Sequence, residues 1–373
     1  MKCCSNRWLN QGAGALLAAL AAAGALAGAP RKEKRPPKPT ARVILPDDPN
    51  MVYIGHWDKS HLSEQAVTVN SGARILCSFS GHTVRGMFGI KGITAPAEVY
   101  VSIDGTLPLF YRADTDIVNF TPVPLKGTRH NLEIDVKDVD ERVNRWNPPL
   151  ESALVFQGLV VDRKAQTLPS PSPGTIRMEF YGDSITQGVR VLSMALGPEG
   201  SDGTKDYAFL TARAFGAVHN QIGFGRQGVI REGNGNVPPA AGSFGWNFRD
   251  SPADRSFVPD VVVVNQGTND ASYPAEQFEP AYRAYIEEIR KAYPGAAIFC
   301  LRTFGGFHEP DIKAAVESIH DPRIFYIDST GWLDKEDYTD TVHPNATGHV
   351  KAARKLVEAI SGLSGLKPVR GVR

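Results

Sequence analysis

The chain has 373 residues, 42% of them apolar, and sets 41 Lys and Arg against 40 Asp and Glu. Single cores rarely grow beyond ~250–300 residues, so this length predicts two domains. The near-zero net charge argues against nucleic acid or another strongly charged partner and fits a neutral or weakly charged ligand.

The first segment, 1–27, places Lys2 and Arg7 before the run AGALLAALAAAGALAG and ends at Ala25-Leu26-Ala27. That order is a secretory signal peptide with an A-x-A cleavage site, which predicts a secreted protein, extracellular or periplasmic. The competing readings are a short membrane anchor or a retained, palmitoylated Cys3-Cys4 pair, but the run falls short of the ~20 apolar residues that span a bilayer. No other segment is long and apolar enough to cross a membrane. Residues 28–45 are basic and proline-rich and read as an extended linker.

Between 46 and 163 the apolar residues recur with period two, in AVTVN, ARILCSF, AEVYVSIDG, LPLFYR, HNLEIDV and ALVFQGLVVD. Turn signals such as Asn70-Ser71-Gly72 and Asp104-Gly105 separate them, which predicts an antiparallel sandwich or jelly roll of about 120 residues. Trp57 and Trp146 are expected in its core. Residues 164–175, KAQTLPSPSPGT, form a second linker. From 176 to 362 the runs IRMEFYG, VVVVNQG, AAIFCLRTF and IFYIDS alternate with helical segments, YAFLTARAFGA, AEQFEPAYRAYIEEIRKAY, PDIKAAVESI and NATGHVKAARKLVEAI. This is an α/β pattern, with a parallel sheet covered by helices on both faces. Residues 363–373 are a tail. Beyond the signal segment only Cys77 and Cys300 remain, one in each domain, and both read as buried small hydrophobes.

In open parallel sheets the ligand crevice lies beyond the carboxyl ends of the strands, where FYGDS and VVVVNQGTND both end. Three polar clusters follow strand ends: Gly182-Asp183-Ser184, Gly267-Thr268-Asn269-Asp270, and Asp340-Thr341-Val342-His343-Pro344. A serine attacking an acyl carbon needs a base, and histidine serves near neutral pH. The imidazole needs an acceptor that fixes its tautomer, which Asp340 supplies by curling back one turn. A developing oxyanion needs donors: the Ser184 N–H, a glycine N–H and the Asn269 amide. His308-Glu309 begins like HExxH, but Ile312 occupies the second histidine position, so no metal site is expected and no cofactor is called for. The G-x-S-x-G elbow of the α/β-hydrolases is absent, since Thr186 lies two residues after Ser184.

GDSITQG, NQGTND and DTVHPN, in this order, resemble the conserved blocks of the SGNH (GDSL-type) hydrolases over roughly Ile176 to Ile360. The resemblance implies a three-layer α/β/α fold with Ser184 as nucleophile, His343 as base, Asp340 as its acid partner and Asn269 as oxyanion donor. The family's glycine donor falls among Gly223, Gly225 and Gly228, with Gly225 preferred because Gly225-Arg226 resembles related esterases. A β-rich domain in front of such a domain resembles carbohydrate esterase family 2, which implies removal of acetyl groups from polysaccharides such as xylan or mannan.

Asp183 and Asp270 read as structural, holding backbone N–H groups, with Asp270 assigned to the loop after the third strand. Asn345 reads as a helix N-cap. Trp246, Trp332 and His308 are candidate substrate contacts, with Arg302 a weaker one. Two other functions compete: a GDSL-type lipid or short acyl-ester esterase, and a carbohydrate-binding protein with an idle hydrolase site.

Overall fold

The computed structural model describes residues 41–369, so the expected signal peptide, most of the expected first linker and residues 370–373 lie outside the described residues. Residues 41–168 build two antiparallel sheets. One runs Ala41–Ile44, Leu154–Asp162, Val84–Phe88, Ile117–Asn119, with Ala66–Thr68 also on Leu154–Asp162. The other runs Thr167–Leu168, Arg74–Ser80, Arg129–Asp138, Glu98–Ile103, Leu109–Arg112, with Met51–Ile54 beside Arg74–Ser80. Alternate residues of both sheets, among them Ile75, Phe79 and Ile134 from one and Val84, Phe88 and Phe156 from the other, meet in one core. This is the packing that period-two patterning demands. All six period-two runs contain strands.

The expected linker boundaries shift. Ala41–Ile44 pairs with Leu159–Asp162, and Thr167–Leu168 pairs with Ser78–Phe79, so the ends of both spacers are drawn into the sheets. Trp57 is in the sandwich core, whereas Trp146 is not: it packs edge-on against Phe224 at 6.0 Å, in the core of the α/β domain.

That domain has a five-stranded parallel sheet with strands β1 (Arg177–Gly182), β2 (Val218–Gly223), β3 (Val261–Asn265), β4 (Ala297–Leu301) and β5 (Ile324–Ile327). They lie in the order β2-β1-β3-β4-β5. Its principal helices are α1 (Ser184–Gln187), α2 (Tyr207–Ala214), α3 (Ala275–Ala292), α4 (Glu309–Ile319) and α5 (Ala346–Ser364). Both faces of the sheet are apolar because helices cover both. Val261 and Val263 join α2 and α5, while Val262 and Val264 join α3 and α4. The sheet with its two helical layers is the three-layer α/β/α sandwich that the resemblance implies. Cys77 and Cys300 are free and buried. Among the described residues no helix is long and apolar enough to cross a membrane.

Candidate active site

The Ser184 turn sits where β1 ends. Asp183 caps α1 by accepting the Ile185 N–H at 2.9 Å, and Gly188 closes the turn in the left-handed region at φ 86°. Ser184 is therefore held at the mouth of the sheet, 7% exposed. His343 arrives from the loop before α5, whose N-cap is Asn345, accepting the Gly348 N–H at 3.0 Å.

Across this gap the His343 Nε2 lies 2.9 Å from Ser184 Oγ, and Nδ1 lies 2.8 Å from Asp340 Oδ2. Asp340 Oδ1 accepts the N–H groups of Val342 at 2.7 Å and His343 at 2.6 Å, which closes the Asp–His loop on itself. Arg190 also donates to Asp340 Oδ2. Burial works to raise the Asp340 carboxyl, but the backbone N–H groups, the His343 ring and Arg190 outweigh it and hold the group well below the usual carboxylate range. Arg190, itself at φ 58°, lies two residues beyond GDSITQG but outside the motif, and its contact with Asp340 follows only from the fold.

The donors expected for an oxyanion are arranged less simply. Asn269 faces the same pocket as Ser184 and His343, with its Nδ2 2.9 Å from the Gln227 carbonyl and 3.3 Å from Asp183 Oδ2. Gly225 requires correction: its N–H donates to Gln187 Oε1 at 3.0 Å instead of standing free. The Gly228 N–H is likewise taken, by the Arg231 carbonyl at 3.0 Å, and Gly223 ends β2 packed against the backbone of Gln187. Asp270 is structural as expected, but it holds a different loop: its carboxylate accepts the N–H groups of Val229, Ile230 and Arg231, beyond β2.

The pocket around the triad has a volume of about 370 Å3, and its lining includes Glu141 and Arg142 of the sandwich beside Val189, Arg226 and Asn234. The β-domain thus contributes to the cleft. Sequence reasoning missed both residues because nothing in a period-two segment marks where its last turn will dock. A second cavity of about 280 Å3, with Arg177 and Val218 in its lining, opens at the amino ends of β1 and β2 and contains no triad residue. Ligand crevices of parallel sheets belong to the opposite end.

The three candidate substrate contacts part company. His308 is spent on structure, with Nδ1 2.7 Å from Asp311, Nε2 2.9 Å from the Asp270 carbonyl and its ring stacked on Phe278 at 3.8 Å. Arg302 donates to Glu309 at 2.6 Å. Trp332 is half-buried against the α2–α5 core, near Phe304. Trp246 alone is exposed, at the edge of a separate cavity.

A serine, a histidine and an aspartate in hydrogen-bonded series at the carboxyl end of a parallel sheet define a serine hydrolase constellation. Residues 180–351 match the GDSL-like Lipase/Acylhydrolase family. The chain is 26% identical to a cellulase/esterase, CelE, of Acetivibrio thermocellus over 86% of its own length and 40% of the relative's. It is 26% identical to an acetylxylan esterase / glucomannan deacetylase of Cellvibrio japonicus over 51% of its length and 58% of the relative's. The chain thus spans about half the length of the curated relatives it matches. A solved family two carbohydrate esterase from Cellvibrio japonicus superimposes with a TM-score of 0.73 at 18% identity, covering 87% of this chain and 98% of that one.

Proposed function

We propose that this protein is a secreted serine esterase that removes O-acetyl groups from carbohydrate. The observation that carries the proposal is the Ser184–His343–Asp340 series, with spacings of 2.9 Å and 2.8 Å. His343 takes the Ser184 proton as Oγ attacks the acetyl carbonyl. The oxyanion is met by the Ser184 N–H and by Asn269, whose long 3.3 Å contact to Asp183 yields the more available amide hydrogen. His343 then protonates the departing sugar oxygen, and water, activated by the same imidazole, hydrolyses the acetyl-enzyme. The pocket favours a small acyl group: Val189, Leu196 and the small Ala195 are the apolar side chains of its lining, beside the charged Glu141, Arg142, Arg190 and Arg226. The carbohydrate substrate is inferred from the two curated relatives. Secretion rests on residues 1–27, outside the described residues.

The deciding experiment is acetate release from acetylated xylan, acetylated glucomannan and p-nitrophenyl acetate, wild type against Ser184→Ala. Loss on all three in a folded variant is expected. Undiminished release would sink the mechanism. Activity on the ester alone would favour the short acyl-ester reading.

A further inference from the structure

Trp246 is the one tryptophan among the described residues that faces solvent substantially, at 40% exposure. An isolated exposed apolar residue needs no explanation. Its setting is what distinguishes this one. Trp246–Phe248 and Ser251–Pro252 form a tight two-stranded turn, in which Asn247 and Phe248 are buried while Trp246 points outward. Asn247 Nδ2 fixes the turn by donating to Ser251 Oγ and to the Pro252 carbonyl, each at 3.1 Å. The Arg249 N–H donates to the Trp146 carbonyl at 3.0 Å, which pins the turn to the sandwich domain. An indole held this rigidly loses little entropy on binding a flat ligand.

Trp246 borders a cavity of about 490 Å3 whose other side chains are mostly polar, among them Asn147, Glu232, Asn236, Arg249 and Asp250. Glu232, Arg249 and Asp250 form no ion pair among the described residues, so their donors and acceptors are open to a ligand. The cavity is also not isolated. Glu232 lines it and a neighbouring cavity of about 530 Å3. Arg226 and Asn234 line that neighbour and the triad pocket as well. Three hollows therefore share their walls in series, from Ser184 past Arg226 and Tyr273 to Trp246.

We propose that this series is one groove for a glycan chain and that Trp246 is its distal sugar-stacking platform, with the acetylated residue over Ser184. The proposal rests on the carbohydrate-esterase reading above and adds a second contact site at Trp246, for a sugar residue distant from the acetylated one. Pyranose rings carry an apolar C–H face that stacks on an indole and an equatorial rim of hydroxyls that hydrogen-bonds to carboxylates, amides and guanidinium groups. A platform flanked by Glu232, Arg249 and Asp250 offers both. A long acyl chain would leave those polar groups unpaired.

The test has two arms. In the first, wild type and Trp246→Ala are compared on acetylated xylo- and manno-oligosaccharides of one to six sugars and on p-nitrophenyl acetate. For the wild type, KM should fall with chain length. In Trp246→Ala the preference for the hexasaccharide over the small ester should fall about tenfold, through KM, the size expected of one well-placed aromatic contact. Trp246→Phe should recover part of it. An unchanged preference, or equal loss on both substrates, would overturn the proposal. In the second arm, Ser184→Ala with and without Trp246→Phe is titrated with unacetylated xylohexaose, mannohexaose and cellohexaose, following tryptophan fluorescence. A fluorescence change that saturates and disappears with Trp246 supports the platform even if no acetate is released from any carbohydrate, which would defeat the esterase reading alone. A change with none of the three, or one that persists without Trp246, overturns it.

Discussion

Asp340→Asn is the substitution that asks most of the proposed triad. In the wild type, Asp340 Oδ1 accepts two backbone N–H groups, at 2.7 and 2.6 Å, while Oδ2 faces His343 Nδ1 at 2.8 Å and the Arg190 guanidinium. An asparagine that keeps its oxygen on the two N–H groups must turn its NH2 toward Nδ1. The imidazole can meet that donor only by carrying its own proton on Nε2, where it points at Ser184 Oγ and can no longer accept the serine proton. The loss expected for such a wrong tautomer is about 10,000-fold in kcat, or about 5.5 kcal/mol of barrier. The fold should tolerate the change, because the pair with Arg190 is only partly buried and such pairs contribute about 0–1 kcal/mol. The assay is kcat and KM on p-nitrophenyl acetate, with a thermal melt as control. The Asp340 carboxyl is held well below its ordinary range, so its charge persists as the pH falls and any acid limb of the wild-type profile must belong to another group. A folded Asp340→Asn enzyme within tenfold of wild type would refute the triad and leave a Ser–His dyad in which Asp340 only shapes the loop.

Two further substitutions probe the surroundings. Gly225→Ala would place a Cβ 1.2 Å from Glu141 Oε2, at the end of a side chain that can swing aside, so the variant should melt only slightly below wild type and the double variant with Glu141→Ala should regain that small loss; a large loss that Glu141→Ala does not relieve would mean that the backbone, not the Glu141 contact, excludes a side chain there. Asp183 is fully buried, and burial, opposed chiefly by the Ile185 N–H, raises its carboxyl to about 6 from an unfolded value near 3.9. A raised carboxyl binds more protons folded than unfolded, so its contribution to stability is greatest below about pH 4 and is lost as the pH rises through about 6, by about 3 kcal/mol in all and about 2 kcal/mol between pH 4 and pH 6. Urea unfolding at pH 4 and pH 6 should show that decline in the wild type relative to Asp183→Asn, and parallel profiles would show that Asp183 does not titrate in this window.

Much of the molecule follows from local pattern. The strands of the sandwich that alternate cleanly, such as Arg74–Ser80 and Arg129–Asp138, are visible as sequence, as are the Val-rich β3 and the amphipathic α3 and α5. The short strands Ala41–Ile44 and Ile117–Asn119 are not, because three or four residues at a sheet edge carry too little alternation to stand above chance. Ser184 is legible because a turn fixes it at the end of β1, and His343 and Asp340 because they lie three residues apart in one polar block just before the last helix. The Gly225 N–H was misread for the same reason that Glu141 and Arg190 were missed: where each points depends on contacts between segments far apart in sequence. His308 shows the reverse case, a residue whose chemistry suits a site but whose two ring nitrogens are both committed to the protein.

Those long-range contacts join the sandwich to the proposed active site. Gln187, at the end of α1, accepts at Oε1 from the buried Arg145 guanidinium at 2.8 Å and from the Gly225 N–H at 3.0 Å. Its Nε2 donates to Asp138 Oδ1 and to the Val139 carbonyl, each at 3.1 Å. Three of these partners belong to the sandwich, so a single amide ties that domain to both the serine turn and the loop beyond β2. Burial pushes the Asp138 carboxyl up to about 8, so near neutral pH the network is not closed by a simple charge pair with Arg145 but by hydrogen bonds through Gln187. A buried network of this kind holds its members in one arrangement only while every member is present. Deleting the sandwich would leave Gln187 and the Gly225 loop without their fixed partners, and the triad would lose its register even with Ser184, His343 and Asp340 intact. The two domains are therefore better regarded as one structural unit around the proposed site than as a hydrolase fold with an appended module.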